Sequence, residues 1–200
     1  MLTLNKARLR AIAPADLDHL AGLGADLLIA AAAQPDPPFP LALPAVRSRL
    51  EQGHAAPLSG GEHDHEFAIA RADDPASEIL GIAGLYGVDR FNSIAEIGVT
   101  ITSPDARGNG IGIDTYVLLS RFAFRAQRLN KVYAQVKGSN TAALATCERL
   151  GIRRHGILPE HRWIDGAPDD LHIFGLLARD WSEDMVHWRE WEPERPRRAA

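Results

Sequence analysis

At 200 residues, 46% hydrophobic and 24% charged, the chain has the size and composition of one globular domain with a sizeable core. Its net charge of −4 implies no general attraction to nucleic acid, and its single cysteine, Cys147, excludes an internal disulfide and a cysteine-built zinc site. The apolar run Leu27–Ala33 is far short of the ~20 residues a membrane span needs, and no basic segment precedes it as in a secretion signal, so a soluble cytoplasmic protein is expected.

In chain order, TLNKARLRAI (3–12) reads as a first strand. Pro14 then marks a helix start, with Asp16, Leu17, His19, Leu20 and Leu23 at helical spacing. The proline-dense stretch 34–44 is a loop. AVRSRLEQG (45–53) is a short helix, and the polar residues 54–65 form another loop. EFAIARA (66–72) alternates as a strand does and pairs with SEILGIAGLYGVD (77–89) across a turn at Asp73–Pro75. SIAEIGVTI (93–101) is the next strand, followed by a glycine-rich loop and a helix from about Ile113 to Arg128. KVYAQVK (131–137) is a strand and NTAALATCERLG (140–151) a helix ended by Gly151. HRWIDGAPDDLHIFGLL (161–177) reads as a hairpin turning at Asp165–Gly166. There are no repeats. The order predicts an α+β (mixed α/β) domain over residues 1–182, around one sheet, and a tail over 183–200 whose end is disordered. Trp181, Trp188 and Trp191 either pack this end of the chain on the domain or form an interface.

The loop SPDARGNGIGID carries glycines at 108, 110 and 112, just before a helix. Glycine admits positive φ and lets a ligand approach the backbone. A helix start offers unpaired N–H groups and partial positive charge, which together bind phosphate. Arg107 adds a charge-assisted donor. A plain strand-to-helix turn is the alternative, although three alternating glycines exceed what such a turn needs. A Walker A loop is excluded, because Ile113 and Asp114 follow Gly112 where Lys-Ser/Thr would be required. The Gly-x-Gly-x-Gly spacing also departs from the dinucleotide fingerprint, and no first βα unit precedes it.

Arg107-x-x-Gly110-x-Gly112 resembles the signature of the GNAT N-acetyltransferases. AEIGVTI resembles the strand before that signature and LLSRFAF the helix after it. The block Asn140, Ala143, Glu148, Arg149, Gly151, Ile152 resembles the next strand-and-helix unit. The closing segment HGILPEHRWIDGAPDDLHIFGLLARDW and the opening ARLRAIAPADLDHL resemble the branch containing ribosomal-protein-alanine N-acetyltransferases (RimJ/RimL-type). The likeness spans about residues 2 to 182. It implies a GNAT fold, a central, mostly antiparallel sheet flanked by helices. It also implies an acetyl-CoA site without a metal. Amides of Arg107, Gly108, Asn109, Gly110, Ile111 and Gly112 would hold the pyrophosphate. Backbone groups of Val99, Thr100 and Ile101, with Asn140, would hold the pantetheine arm.

In that family an amine attacks the thioester directly, so something must accept the amine's proton. Glu96 is the candidate base, since Ala95, Ile97, Val99 and Ile101 share one strand face and leave Glu96, Gly98 and Thr100 on the other. A solvent-facing or salt-bridged glutamate is its alternative reading. Cys147 stands where many members carry a general-acid tyrosine; a thiol can donate a proton, but Ala143, Cys147 and Leu150 also form one helical stripe that reads as core. EHDHE (62–66) has the residue types of a metal site but no evident remote ligands, and reads as a solvated loop. Arg121, Arg125 and Arg128 read as a solvated helix face, and His161, Trp163 and His172 as strand packing. The resulting expectation is an acyl-CoA-dependent N-acyltransferase taking acetyl-CoA and a primary amine, either a protein N-terminus or a small amine, as a monomer or homodimer. A succinyl- or other acyl-CoA donor, and a non-catalytic CoA-binding module, are the alternatives.

Overall fold

The computed structural model describes residues 2–20, 42–74 and 78–182. The expectations placed on 21–41, on Pro75 and on the tail from 183, including Trp188 and Trp191, lie outside these residues. Eight strands form one sheet: β1 Leu2–Thr3, β2 Ala7–Arg10, β3 His65–Arg71, β4 Gly81–Asp89, β5 Ile94–Ile101, β6 Lys131–Lys137, β7 Arg153–Ile164 and β8 Ala167–Leu177. Their order is β1-β2-β3-β4-β5-β6-β8-β7, and every neighbouring pair is antiparallel except β5–β6. Among the described residues they are accompanied by the helices α1 Leu43–Glu51, α2 Ile111–Arg121 and α3 Thr141–Arg149. The mixed α/β architecture and mostly antiparallel sheet are as the sequence predicts. No described helix is long and apolar enough to cross a membrane.

Strand alternation sorts the core into two layers. Ile69, Ala83, Leu85, Ala95, Ile97, Val132, Ala134 and Phe174 face one side of the sheet, where they pack with Ile111, Leu118 and Leu119 of α2 and Cys147 of α3. Ala68 and Ile82, cross-strand partners one step out of phase, face the other side and pack with Leu17, Leu20 and Val46. On that second side Arg10 grips Asp16 with two hydrogen bonds of 2.7 and 2.8 Å. Asp16 also accepts from the Ala13 amide at 2.8 Å, which caps the 3₁₀ turn Pro14–Asp16.

Three boundaries differ from the sequence reading. The first strand is a hairpin, because the chain turns at Asn5–Lys6 (Leu4 N–H to Ala7 O, 2.9 Å) and Leu2 pairs with Leu9. The helix after the glycines begins at Ile111 and widens into a π turn at Phe122–Ala126, ending where Arg128 takes a φ of 55°. The closing hairpin begins at Arg153, not His161. β7 is an edge strand exposed along nearly its whole length, so it carries no apolar alternation to mark it. The turn at Asp165–Gly166 is where expected, with φ of 48° and 81° at its two residues.

Gly81, paired with Ile101, has a tight tolerance: a Cβ there would press into the Thr100 carbonyl and lie 3.0 Å from the Ile101 Cα. Both obstacles are backbone and cannot rotate away. Gly81→Ala is therefore expected to destabilise the fold by about 1–3 kcal/mol, the usual range for overpacking, seen as a lowered denaturation midpoint in urea. An unchanged midpoint would contradict the close approach.

Candidate active site

β5 and β6 pair in parallel only at Ile94–Lys131, Ala95–Val132 and Glu96–Tyr133. Beyond Glu96 each strand follows its other neighbour. β5 stays zipped to β4 as far as the Gly81–Ile101 pair, and β6 to β8 as far as Lys137–Leu171. The two strands part, and a cleft of about 530 Å³ opens between them. Residues 97–101 form one wall and 134–137 the other, with the glycine loop and the faces of α2 and α3 closing one side.

At the loop, Gly108 and Gly110 take φ of 71° and 94°, in the left-handed region that glycine occupies without strain. Gly110 is the N-cap of α2 and, having no side chain, makes no capping bond of its own. Gly108, Gly110, Gly112 and Arg107 all line the cleft. Arg107 folds back on the strand end, Nε donating to Ile101 O (3.1 Å) and Nη2 to Thr102 O (3.4 Å). Asn109 and Ile111 lie outside the lining. Ile111 is buried in the core and its amide donates to Asn109 Oδ1 at 3.3 Å, while Asn109 Nδ2 donates to Asp105 O. The β1–β2 turn clamps the loop from behind: Lys6 donates its amide to Asp114 Oδ2 and its ammonium to Asn109 O, both at 2.7 Å.

Val99, Thr100 and Ile101 lie along the β5 wall. Asn140 lines the opposite end, but its side chain is engaged as the N-cap of α3, Oδ1 accepting from Ala143 N at 3.1 Å. Cys147 also lines the cleft and is 4% exposed. Burial pushes its thiol up to about 12, so it is protonated at neutral pH and belongs equally to the core stripe the helical spacing suggests.

Glu96 sits at the last paired position, at the fork of the two strands. It is half-buried, and burial raises its carboxyl above the ordinary carboxylate range, against a 2.8 Å hydrogen bond from Gln135 Nε2 and the nearby charge of Arg162. Arg162 Nη2 in turn donates to Gln135 Oε1 at 3.1 Å. The Tyr86 ring lies flat over the same strand face. Cβ atoms added at Gly84 and Gly98 would come within 2.7 and 2.8 Å of it, so those glycines make its bed. Gln135 follows the alternation of KVYAQVK and was legible there. Arg162 reaches the site only through the bulge between Leu158 and Arg162, which no sequence pattern marks.

Other expectations change. In EHDHE, Asp64 and Glu66 are buried, not solvated. Glu66 accepts from the amides of Leu58 (2.6 Å) and Ser59 (2.9 Å), and so ties down the 54–65 loop. Trp163 is 72% exposed and does not pack in the sheet. Arg125 lies over the Trp181 ring at 5.6 Å, and that ring also meets Phe124 at 5.6 Å, so this helix face holds the end of the domain and is not merely solvated.

Residues 6–153 match the family described as Acetyltransferase (GNAT) domain. The chain is 27% identical over 137 residues to the uncharacterized N-acetyltransferase p20 of Bacillus licheniformis, a match covering 68% of this chain and 74% of p20. It is 30% identical over 103 residues to YdaF of Bacillus subtilis (strain 168), provisionally named as a ribosomal N-acetyltransferase, covering 52% of this chain and 56% of YdaF. The fold superposes on spermidine N-acetyltransferase from Vibrio cholerae, solved with CoA and spermine, with a TM-score of 0.73. That match has 21% identity and covers 87% of this chain and 96% of the other.

Glu66 carries a pH signature. Burial lifts its carboxyl from 4.5 up to about 7. A raised carboxyl favours folding while protonated, so its contribution is complete below the ordinary value and is lost as pH rises through about 7. Between pH 5 and 8 the wild type is expected to lose roughly 2–3 kcal/mol that Glu66→Gln does not lose. Urea midpoints of both proteins at the two pH values measure the difference, and parallel pH profiles would refute it.

Proposed function

The chain belongs to the GNAT acetyltransferase family, and on that premise we propose that it transfers an acetyl group from acetyl-CoA to a primary amine, with Glu96 as the proton acceptor. The observation that carries this reading is the position of Glu96: a half-buried carboxyl with a raised pKa at the fork of two parting parallel strands, in the same cleft as a glycine-led helix start. The cleft suits a long, thin cosubstrate whose phosphates lie at Gly108–Gly112 and whose arm runs along Val99–Ile101 toward the fork. Arg107, held by two backbone carbonyls, supports the loop and keeps positive charge at the cleft wall.

The chemistry follows from the fork. The amine reaches the thioester from the Glu96 face of the sheet, where Tyr86, Tyr133 and Gln135 also lie. Its nitrogen forms the C–N bond as the C–S bond breaks, and its proton passes to Glu96 directly or through one water. Burial makes the Glu96 carboxylate a stronger base, while the Gln135 hydrogen bond and Arg162 limit that rise. Burial favours proton uptake while the hydrogen bond and the cation oppose it, a balance that suits a group that must accept a proton and release it again. Glu96 on this face favours a cationic amine over an anionic one, in keeping with the polyamine-acetylating structural neighbour.

Calorimetry with CoA and acetyl-CoA, followed by a thiol-release screen over polyamines, small amines and peptides with free N-termini, tests the reading. Glu96→Gln is expected to bind CoA as the wild type does and to lose about a hundredfold or more in kcat, as removal of a general base does. The acid limb of the wild-type kcat/KM profile should lie above the ordinary glutamate value of 4.5, with activity falling as pH drops through it. Failure of CoA to bind, or a Glu96→Gln variant as fast as wild type, would overturn the proposal.

A further inference from the structure

One buried hydroxyl at the cleft has no hydrogen-bond partner among the described residues. It belongs to Tyr116, which lies on α2, is 6% exposed, and lines the cleft. A buried unpaired hydroxyl costs stability, so folded proteins seldom keep one without use. Tyr116 follows Gly112 by four positions, which puts both on the same helix face, one turn apart. Gly112 and Tyr116 therefore face the same cleft from one side of α2. On α3, Ala143 and Cys147 repeat that spacing and line the cleft as well. Where the resembled family carries a tyrosine on α3, this chain has the smaller Cys147, and Tyr116 of α2 shares its core cluster and its cleft.

We propose that Tyr116, and not Cys147, meets the sulfur of the thioester and stabilises it as a leaving group. This inference rests on the acyl-transfer reading above. As the amine nitrogen forms the C–N bond, the C–S bond breaks and its electron pair goes to sulfur. The Tyr116 O–H donates a hydrogen bond to the charge that develops there. The proton stays on the phenol, because burial raises the phenol above its ordinary value and makes phenolate costly. The departing thiolate takes its proton from water, and the amine's proton goes to Glu96. Cys147, whose thiol burial holds protonated, fills the wall behind the tyrosine.

The test compares Tyr116→Phe, Cys147→Ala and the wild type. Tyr116→Phe is expected to lower kcat about tenfold or more, in line with a lost hydrogen bond to a charged group, with the KM for acetyl-CoA within about twofold. Its denaturation midpoint should stay or rise, because the change removes a hydroxyl that had no partner. Cys147→Ala should keep kcat within about twofold. A second readout needs no turnover. At pH 9.5, where a free thiol is largely ionised, wild type should bind CoA more tightly than desulfo-CoA, and Tyr116→Phe should lose that preference. If wild type binds neither CoA nor acetyl-CoA, the acyl-transfer reading falls and takes this inference with it. If wild type binds and turns over while Tyr116→Phe keeps both its kcat and its CoA preference, the inference alone is overturned. A loss of kcat in Cys147→Ala without one in Tyr116→Phe would assign the role to the thiol.

Discussion

The fork between β5 and β6 is the constraint on which the rest of the molecule depends. Two parallel strands share three residue pairs and then follow different antiparallel partners, β5 staying with β4 and β6 with β8. Past Glu96 no hydrogen-bond ladder joins them, so the sheet offers backbone groups to a ligand that a continuous sheet would satisfy internally. The glycine loop, the α2 start and the faces of α2 and α3 all stand around that opening. A longer parallel pairing would close the cleft and leave the glycine loop facing a sheet with nothing to hold.

The fork needs rigid flanks, and the chain supplies them from distant segments. The β1–β2 turn reaches across to α2, where Lys6 holds Asp114 and Asn109. The glycines give the loop its shape, but side chains more than a hundred residues upstream hold it in place. On the other strand face, the buried Glu66 anchors the 54–65 loop through two amides, and Tyr86 lies across Gly84 and Gly98. Burial of Glu96 on this face is what lifts its carboxyl.

The polar groups of the cleft divide into satisfied and unsatisfied ones. Arg107 and Asn140, which line the cleft, have protein partners, and behind the lining Asn109 and Asp114 tie down the glycine loop. Glu96 is only partly satisfied, through Gln135, and the Tyr116 hydroxyl has no partner among the described residues. A folded chain tolerates such groups where they serve a bound molecule. The division separates scaffold from chemistry more cleanly than residue type does. Asn140 carries the family pattern yet caps a helix, while Tyr116 carries no pattern and stands free.

The sequence by itself determined the strands and helices whose faces alternate or repeat. β3 through β6 and α3 were legible because each is partly buried and its apolar period is visible, and α2, buried along nearly its whole length, was legible from the glycine loop before it. The glycine spacing determined the loop, and the Ala95–Ile101 alternation placed Glu96 on the face away from the core. Edges and turns were not legible: β7 is exposed along its length, and the first strand breaks at Asn5–Lys6 without glycine or proline to mark it. Only the tertiary structure decided which groups meet at the fork. Gln135, Arg162, Tyr86 and Tyr116 come from four elements, and their nearness depends on sheet order, a bulge and the crossing of helices over strands. Burial was likewise a tertiary matter, since Asp64 and Glu66 read as solvated in a polar run and are buried when the loop folds over them. Local periodicity records which side of an element faces the core. It cannot record which other element lies opposite, because that is set by contacts between residues far apart in the chain.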